Sequence, residues 1–188
     1  MRTIVVATNN LGKIKEFQKL FSEDKVLSLK DIGYTKEIIE NGKTFQENAY
    51  IKAKEVAKSR NAIVLADDSG LEVEALNGAP GIYSARYAGD HDTEKNNALL
   101  IKNLTGIENR KARFVCALCL YYPDDTYILV EGECFGQITE EARGSNGFGY
   151  DPYFFIPEYS KTMAELPLET KNQISHRANA LKKLKELL

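Results

Sequence analysis

Histidine is scarce in this chain: only His91 and His176 occur in 188 residues. That excludes a zinc centre built from histidines. The three cysteines, Cys116, Cys119 and Cys134, are an odd number in a chain that is not small, and they read as reduced thiols. Cys116 and Cys119 form a C-x-x-C, but they lie in Arg113–Tyr122, a run with strand character. Side chains three apart on a strand face opposite ways, so a shared metal is not expected. No apolar run approaches the ~20 residues of a membrane helix, and Met1–Ala7 enters a β-like stretch without the charged and apolar regions of a signal peptide, so secretion is not expected. A soluble, cytoplasmic protein without a membrane partner is therefore expected. A surplus of positive charge is missing too, with 25 Lys and Arg against 27 Asp and Glu. Coating nucleic acid needs such a surplus, whereas a small anion needs only a few focused cations. No repeat, low-complexity tract or linker interrupts residues 1–188, which read as a single domain.

What is present alternates. Thr3–Thr8 reads as a buried strand, followed by a polar loop and a helix carrying Ile14, Phe17, Leu20 and Phe21. A second helix spans about Thr44–Ser59, opened by a capping box of Thr44 and Glu47. Ala62–Ala66 reads as a buried strand ending at Asp67-Asp68-Ser69-Gly70, and Leu71–Leu76 as a further strand before the turn Asn77–Gly81. Asp92–Leu104 is helical in pattern. Lys111–Tyr122 and Thr126–Phe135 read as strands joined in a hairpin by Pro123–Asp125. A glycine-rich loop, Arg143–Pro152, precedes a last helix, Ser175–Leu188, with Ala178, Leu181, Leu184 and Leu188 on one face. Alternation giving way to a hairpin predicts an α/β fold with a mixed sheet flanked by helices.

Four stretches carry chemistry. Thr8, Asn9, Asn10, Leu11, Gly12 and Lys13 form a loop between strand and helix, where free amides and the dipole's positive end can meet an anion. It lacks the glycine and hydroxyl spacing of a Walker loop. A simple N-cap by Asn9 or Asn10, with an exposed lysine, is the other reading. Asp67 and Asp68 close an apolar strand, a place where α/β sheets gather ligands. Two adjacent carboxylates call for a counter-charge, and magnesium suits carboxylates, waters and phosphates. An Asx turn is the alternative. Phe148, Gly149, Tyr150 and Asp151 sit in a glycine frame that can present a ring for base stacking, or can complete the core. Lys171, His176 and Arg177 surround Ser175, a good N-cap for the last helix. Cations in a first turn oppose the helix dipole, which suggests a ligand or another direction of approach.

At six ordered blocks, nearly the whole chain resembles the inosine triphosphate pyrophosphatase family, hydrolases of non-standard purine nucleoside triphosphates. The blocks are Ala7–Lys13, Thr44–Ala49, Ala66–Leu71, Gly78–Tyr87, Gly147–Pro152 and Ser175–Arg177. The resemblance implies an elongated central mixed β-sheet, two lobes around a nucleotide cleft, and a homodimer. It implies cleavage of ITP, dITP and XTP between the α- and β-phosphates, with Mg²⁺ as cofactor. Thr8–Lys13 would cradle the triphosphate. Asp68 would accept a proton and bind the metal, Ser69 would touch substrate, and Phe148–Asp151, Lys171, His176 and Arg177 would hold the base. Many members carry two acidic residues before the glycine matching Gly42. Here Ile39 stands at the first, so Glu40 is assigned as the second metal ligand. Two other functions remain open: a pyrophosphatase for other modified nucleotides, and a nucleotide-binding regulator without turnover.

Overall fold

A computed structural model describes residues 1–89 and 91–188. Seven strands form one mixed sheet in the order β2-β1-β3-β4-β5-β6-β7. The strands are β1 (Thr3–Val6), β2 (Lys25–Ser28), β3 (Ile63–Val73), β4 (Lys111–Tyr121), β5 (Tyr127–Ile138), β6 (Phe154–Ile156) and β7 (Lys161–Thr162). Among the described residues five α-helices accompany them: α1 (Leu11–Leu20), α2 (Phe45–Arg60), α3 (Thr93–Asn103), α4 (Leu168–Ile174) and α5 (His176–Glu186). β1 runs parallel to β2 and β3, while β6 is antiparallel to β5 and β7. The mixed α/β class expected from the alternation is the one observed.

The chain divides into two compact units. The first comprises Met1–Asp68, Ala117–Glu131 and Ala180–Leu188; the second comprises Ser69–Cys116 and Gly132–Asn179. In the first, Ile4, Val5 and Val6 of β1 are buried together with Val64, Leu65 and Ala66 of β3. Such continuous apolar runs belong to parallel strands covered on both faces. α2 buries Phe45, Ala49, Ala53, Val56 and Ala57, the face its periodicity predicted. Its cap differs slightly from the expected box. Thr44 accepts from the Glu47 amide at 3.1 Å, but Glu47 reaches back to the Lys43 amide at 2.6 Å, one residue earlier. The core of the second unit gathers Leu71, Leu100, Leu104, Phe114, Phe154, Ile156 and Met163.

Three sequence expectations change. Ala62–Ala66 and the start of Leu71–Leu76 belong to one strand, β3, which continues through the acid pair to Val73, while Glu74–Leu76 turn into a 3-10 helix. Hydrophilic Asp67-Asp68-Ser69-Gly70 reads as a break, yet strand pairing does not require apolar side chains. β2, β6, β7 and α4 were not foreseen: each is two to seven residues long, too short for a period to show. The last helix ends at Glu186, and its buried apolar positions are Ala180 and Leu184, with Leu188 exposed. All three thiols are buried and unbridged, and burial pushes the Cys134 thiol up to about 11. No helix among the described residues is long and apolar enough to cross a membrane.

Candidate active site

The acid pair marks where the parallel part of the sheet stops. The last β1–β3 pair is Val6 with Leu65, so Asp67 and Asp68 lie just past the C-terminal end of β1. Successive strand residues face opposite sides, and the two carboxylates accordingly meet different partners. Asp67, only 3% exposed, receives Lys13 Nζ at 2.7 Å from the start of α1. Asp68 receives Asn48 Nδ2 at 3.1 Å from α2. Each carboxylate thus has its own donor within the chain.

Lys52, one turn beyond Asn48 on α2, completes the group. Its ammonium pairs with Glu40 at 2.9 Å and donates to the Asp67 carbonyl at 3.0 Å. Burial pushes the Asp68 carboxyl up to about 6; the Lys52 charge and the Asn48 hydrogen bond act against that rise, while Glu40 and Asp67 add to it. A carboxyl poised there is partly ionised near neutral pH and suited to proton transfer. Neither Asn48 nor Lys52 was singled out from the sequence. The available signal was positional: both flank the buried stripe of α2 at i and i+4, where an amide and an ammonium have no packing reason to be.

Asn48 also fixes the segment that carries Glu40. Its Oδ1 accepts the Gly42 amide at 2.8 Å, and a Cβ on Gly42 would stand 2.7 Å from that same oxygen. One buried side chain therefore ties the Glu40 segment to Asp68. Groups that orient reacting or ligating residues typically contribute ten- to hundredfold. Asn48→Ala is expected to lower kcat by about that factor while leaving the circular dichroism spectrum intact. Wild-type kcat in this variant would remove Asn48 from the arrangement.

The first loop answers the question its sequence left open. Asn10 caps α1, its Oδ1 accepting the Gly12 and Lys13 amides at 2.9 and 3.2 Å. Thr8 Oγ1 accepts the Asn10 amide, and Asn9 Oδ1 accepts the Lys30 amide. Three amides of this region thus already have side-chain partners, and Lys13 is the loop's charged contribution. Leu11 is exposed.

In the second unit, the glycine-rich loop closes on a carboxylate. Asp151 is buried and accepts both the Phe148 amide, at 3.0 Å, and Lys171 Nζ. The same ammonium stands 5.2 Å from the centroid of the Phe148 ring, which is 66% exposed. Tyr150 is buried and donates its hydroxyl to the Ser84 carbonyl at 2.7 Å. Of the two aromatics, then, Phe148 presents a ring and Tyr150 belongs to the core. His176 lies flat on Phe114, with ring centroids 5.0 Å apart, and Arg177 is buried beside it in sequence. Ser175 Oγ caps α5 through the Ala178 amide at 3.2 Å. Ser69 follows Asp68 in β3, half-buried. A cleft of about 410 Å³ lined by Glu72, Lys111, Arg113 and Phe135 contains none of the expected site residues.

Among the described residues, no three His, Cys, Asp or Glu side chains cluster as a metal cage. Glu40 nevertheless pairs with the Lys52 ammonium, and the charge of the same ammonium acts against the rise of the Asp68 carboxyl. Carboxylates that sense one another's charge suit magnesium, which takes few protein ligands and completes its shell with waters and phosphates.

The class so defined is an α/β protein with an acid centre flanked by lysines and a separate aromatic loop anchored on a carboxylate. The chain belongs to the Ham1 family, whose pattern matches residues 4–187. It is 53% identical over 191 residues to a dITP/XTP pyrophosphatase of Listeria innocua, covering 99% of this chain and 94% of that protein. A dITP/XTP pyrophosphatase of Bacillus licheniformis is 52% identical over 193 residues, covering 100% and 98%. Among solved structures, the Ham1 protein of Staphylococcus aureus is similar with a TM-score of 0.96 at 45% identity, covering 99% of this chain and 97% of that one.

Proposed function

We propose that this protein hydrolyses dITP, XTP and related non-standard purine nucleoside triphosphates to the monophosphate and pyrophosphate. The observation that carries the reading is the acid pair of β3, in which Asp67 is neutralised by Lys13 while Asp68 is held near Asn48, Glu40 and Lys52. A polyphosphate needs cations along its length and a base at the phosphorus attacked, and this group supplies both.

In this scheme water attacks the α-phosphorus, the bond to the bridging oxygen breaks, and pyrophosphate departs. Asp68 takes the proton from the attacking water. Lys13 and Lys52 offer their ammonium groups to the phosphates, a pairing that exchanges one set of anionic oxygens for another. Glu40 and Asp68 would hold Mg²⁺, which when bound neutralises charge on the phosphate oxygens. Phe148 offers its exposed face to the purine. Lys171, His176 and Arg177 supply donors for a 6-carbonyl, as in hypoxanthine and xanthine. Adenine carries a 6-amino donor instead and would leave such groups unpaired, a loss of ~1–3 kcal/mol for each neutral group. A homodimer working in the cytoplasm completes the proposal; the three unbridged thiols suit a reducing compartment.

The test is product analysis. Purified protein incubated with dITP, XTP, dGTP and dATP in Mg²⁺ should release pyrophosphate with dIMP and XMP. Orthophosphate with the diphosphate as co-product would overturn the mechanism, and no product from either substrate would overturn the function.

A further inference from the structure

The aromatic loop is held from behind by a residue outside every expected site. Asn97, on α3, is buried and donates its Nδ2 to the Gly149 carbonyl at 3.0 Å. Gly149 sits between the exposed Phe148 and the buried Tyr150. α3 is a firm base for this contact. Leu100 and Leu104 at its end enter the core of the second unit, and Asn96 beside Asn97 bonds the Ala85 carbonyl and the Ala88 amide. Asn97 Oδ1, by contrast, meets no donor among the described residues. A buried acceptor left without a donor opposes folding. A leucine, alike in branching though larger, would remove that penalty, and the half-buried Gly149 carbonyl could turn to water. The amide gains one hydrogen bond, to Gly149, and leaves one buried acceptor unmet, so stability gives it little advantage over an apolar side chain.

We propose that Asn97 is a positioning residue for base selectivity: by holding the Gly149 carbonyl it fixes where the Phe148 ring stands. This rests on the reading of Phe148 as the purine platform. Stacking itself is indifferent to the identity of the base. Selectivity needs the stacked base held in register with edge donors, so a ring free to shift weakens discrimination more than binding.

The experiment compares wild type, Asn97→Leu and Asn97→Asp, the second keeping the shape but removing the donor. Measured quantities are kcat and KM for pyrophosphate release from dITP and dATP, the melting temperature, and amide hydrogen exchange over residues 143–152. Asn97→Leu is expected to melt within a few degrees of wild type, and Asn97→Asp lower, because it sets a carboxylate against the Gly149 carbonyl in a buried site. Their KM for dITP should rise about tenfold with kcat little changed, and the dITP to dATP ratio of kcat/KM should fall at least fivefold. Exchange in the loop should quicken while α3 stays protected. A mere packing role would scale both substrates alike, so an unchanged ratio in a folded variant overturns the proposal. Loss of folding in both variants assigns Asn97 to the fold and overturns it equally. Failure of the functional reading is seen separately, in wild type that releases no pyrophosphate from dITP.

Discussion

Asp68→Asn is expected to abolish nearly all turnover and, in EDTA at pH 8, to make the protein more stable. The catalytic half of the result follows from the proton that Asp68 would accept: removing a positioned general base typically loses about 10²–10⁴ in rate, and an amide cannot substitute. The stability half follows from linkage. Burial raises the Asp68 carboxyl from 3.8 to about 6, so between those values the folded protein keeps a proton that the unfolded chain has lost. Stability therefore falls as pH rises through that window, and the full penalty is present above about pH 6. A rise of about two units corresponds to roughly 3 kcal/mol at most. An amide at position 68 carries no charge to desolvate, and its oxygen can still accept from Asn48 Nδ2. Thermal melts of the variant and wild type should separate by several degrees at pH 8 and converge below about pH 3, where the Asp68 carboxyl is protonated in the folded and the unfolded chain alike. Chelator keeps a bound cation from masking the difference. Turnover within tenfold of wild type would remove Asp68 as the proton acceptor; coincident melts at pH 8 would remove the buried charge as its reason for being reactive.

That trade of stability for reactivity bears on how much the sequence made legible. The fold class was readable because β1, α1, α2, α3 and the β4–β5 hairpin are long or strongly patterned, and their boundaries fall within a few residues of expectation. β3 was cut in two because its polar centre reads as a loop. Polar residues inside a continuous strand are tolerated only when something meets them, and the things that meet them, Lys13, Asn48 and Lys52, come from elements distant in sequence. The acid pair itself was visible as an anomaly, with Lys13 and Glu40 beside it, but Asn48 and Lys52 were not. For the same reason the expected external counter-charge narrows: the lysine of the first loop already serves Asp67, and a cation would serve Asp68 and Glu40. The glycine-rich loop was legible as a shaped segment, and Phe148 as its presented ring. Its anchors were not legible, since Asn97 and Ser84 sit in segments whose patterns report only helix and turn.

Gly147→Ala is the second large effect expected, and it should fall on KM where Asp68→Asn falls on kcat. Gly147 has φ +85°, and a Cβ there would stand 2.1 Å from Asp151 Oδ2 and 2.8 Å from Lys171 Nζ. The carboxylate cannot yield without giving up the Phe148 amide or the Lys171 ammonium, which it binds together. Gly33 supplies the control: its φ is +60°, yet nothing lies within 4 Å of a Cβ. Both substitutions incur the left-handed penalty of roughly 1–2 kcal/mol, so both should lower the melting temperature by a few degrees. Only Gly147→Ala adds a collision with the groups that hold the ring. Misplacing a substrate-positioning group by an ångström can lose about a hundredfold. The KM for dITP should therefore rise by about that factor, with kcat changed far less because the acid centre on β3 is untouched. Gly33→Ala should keep wild-type kinetics. If the two variants prove kinetically alike, the Asp151 carboxylate is not what sets the Phe148 ring, and the loop's glycines serve the turn alone.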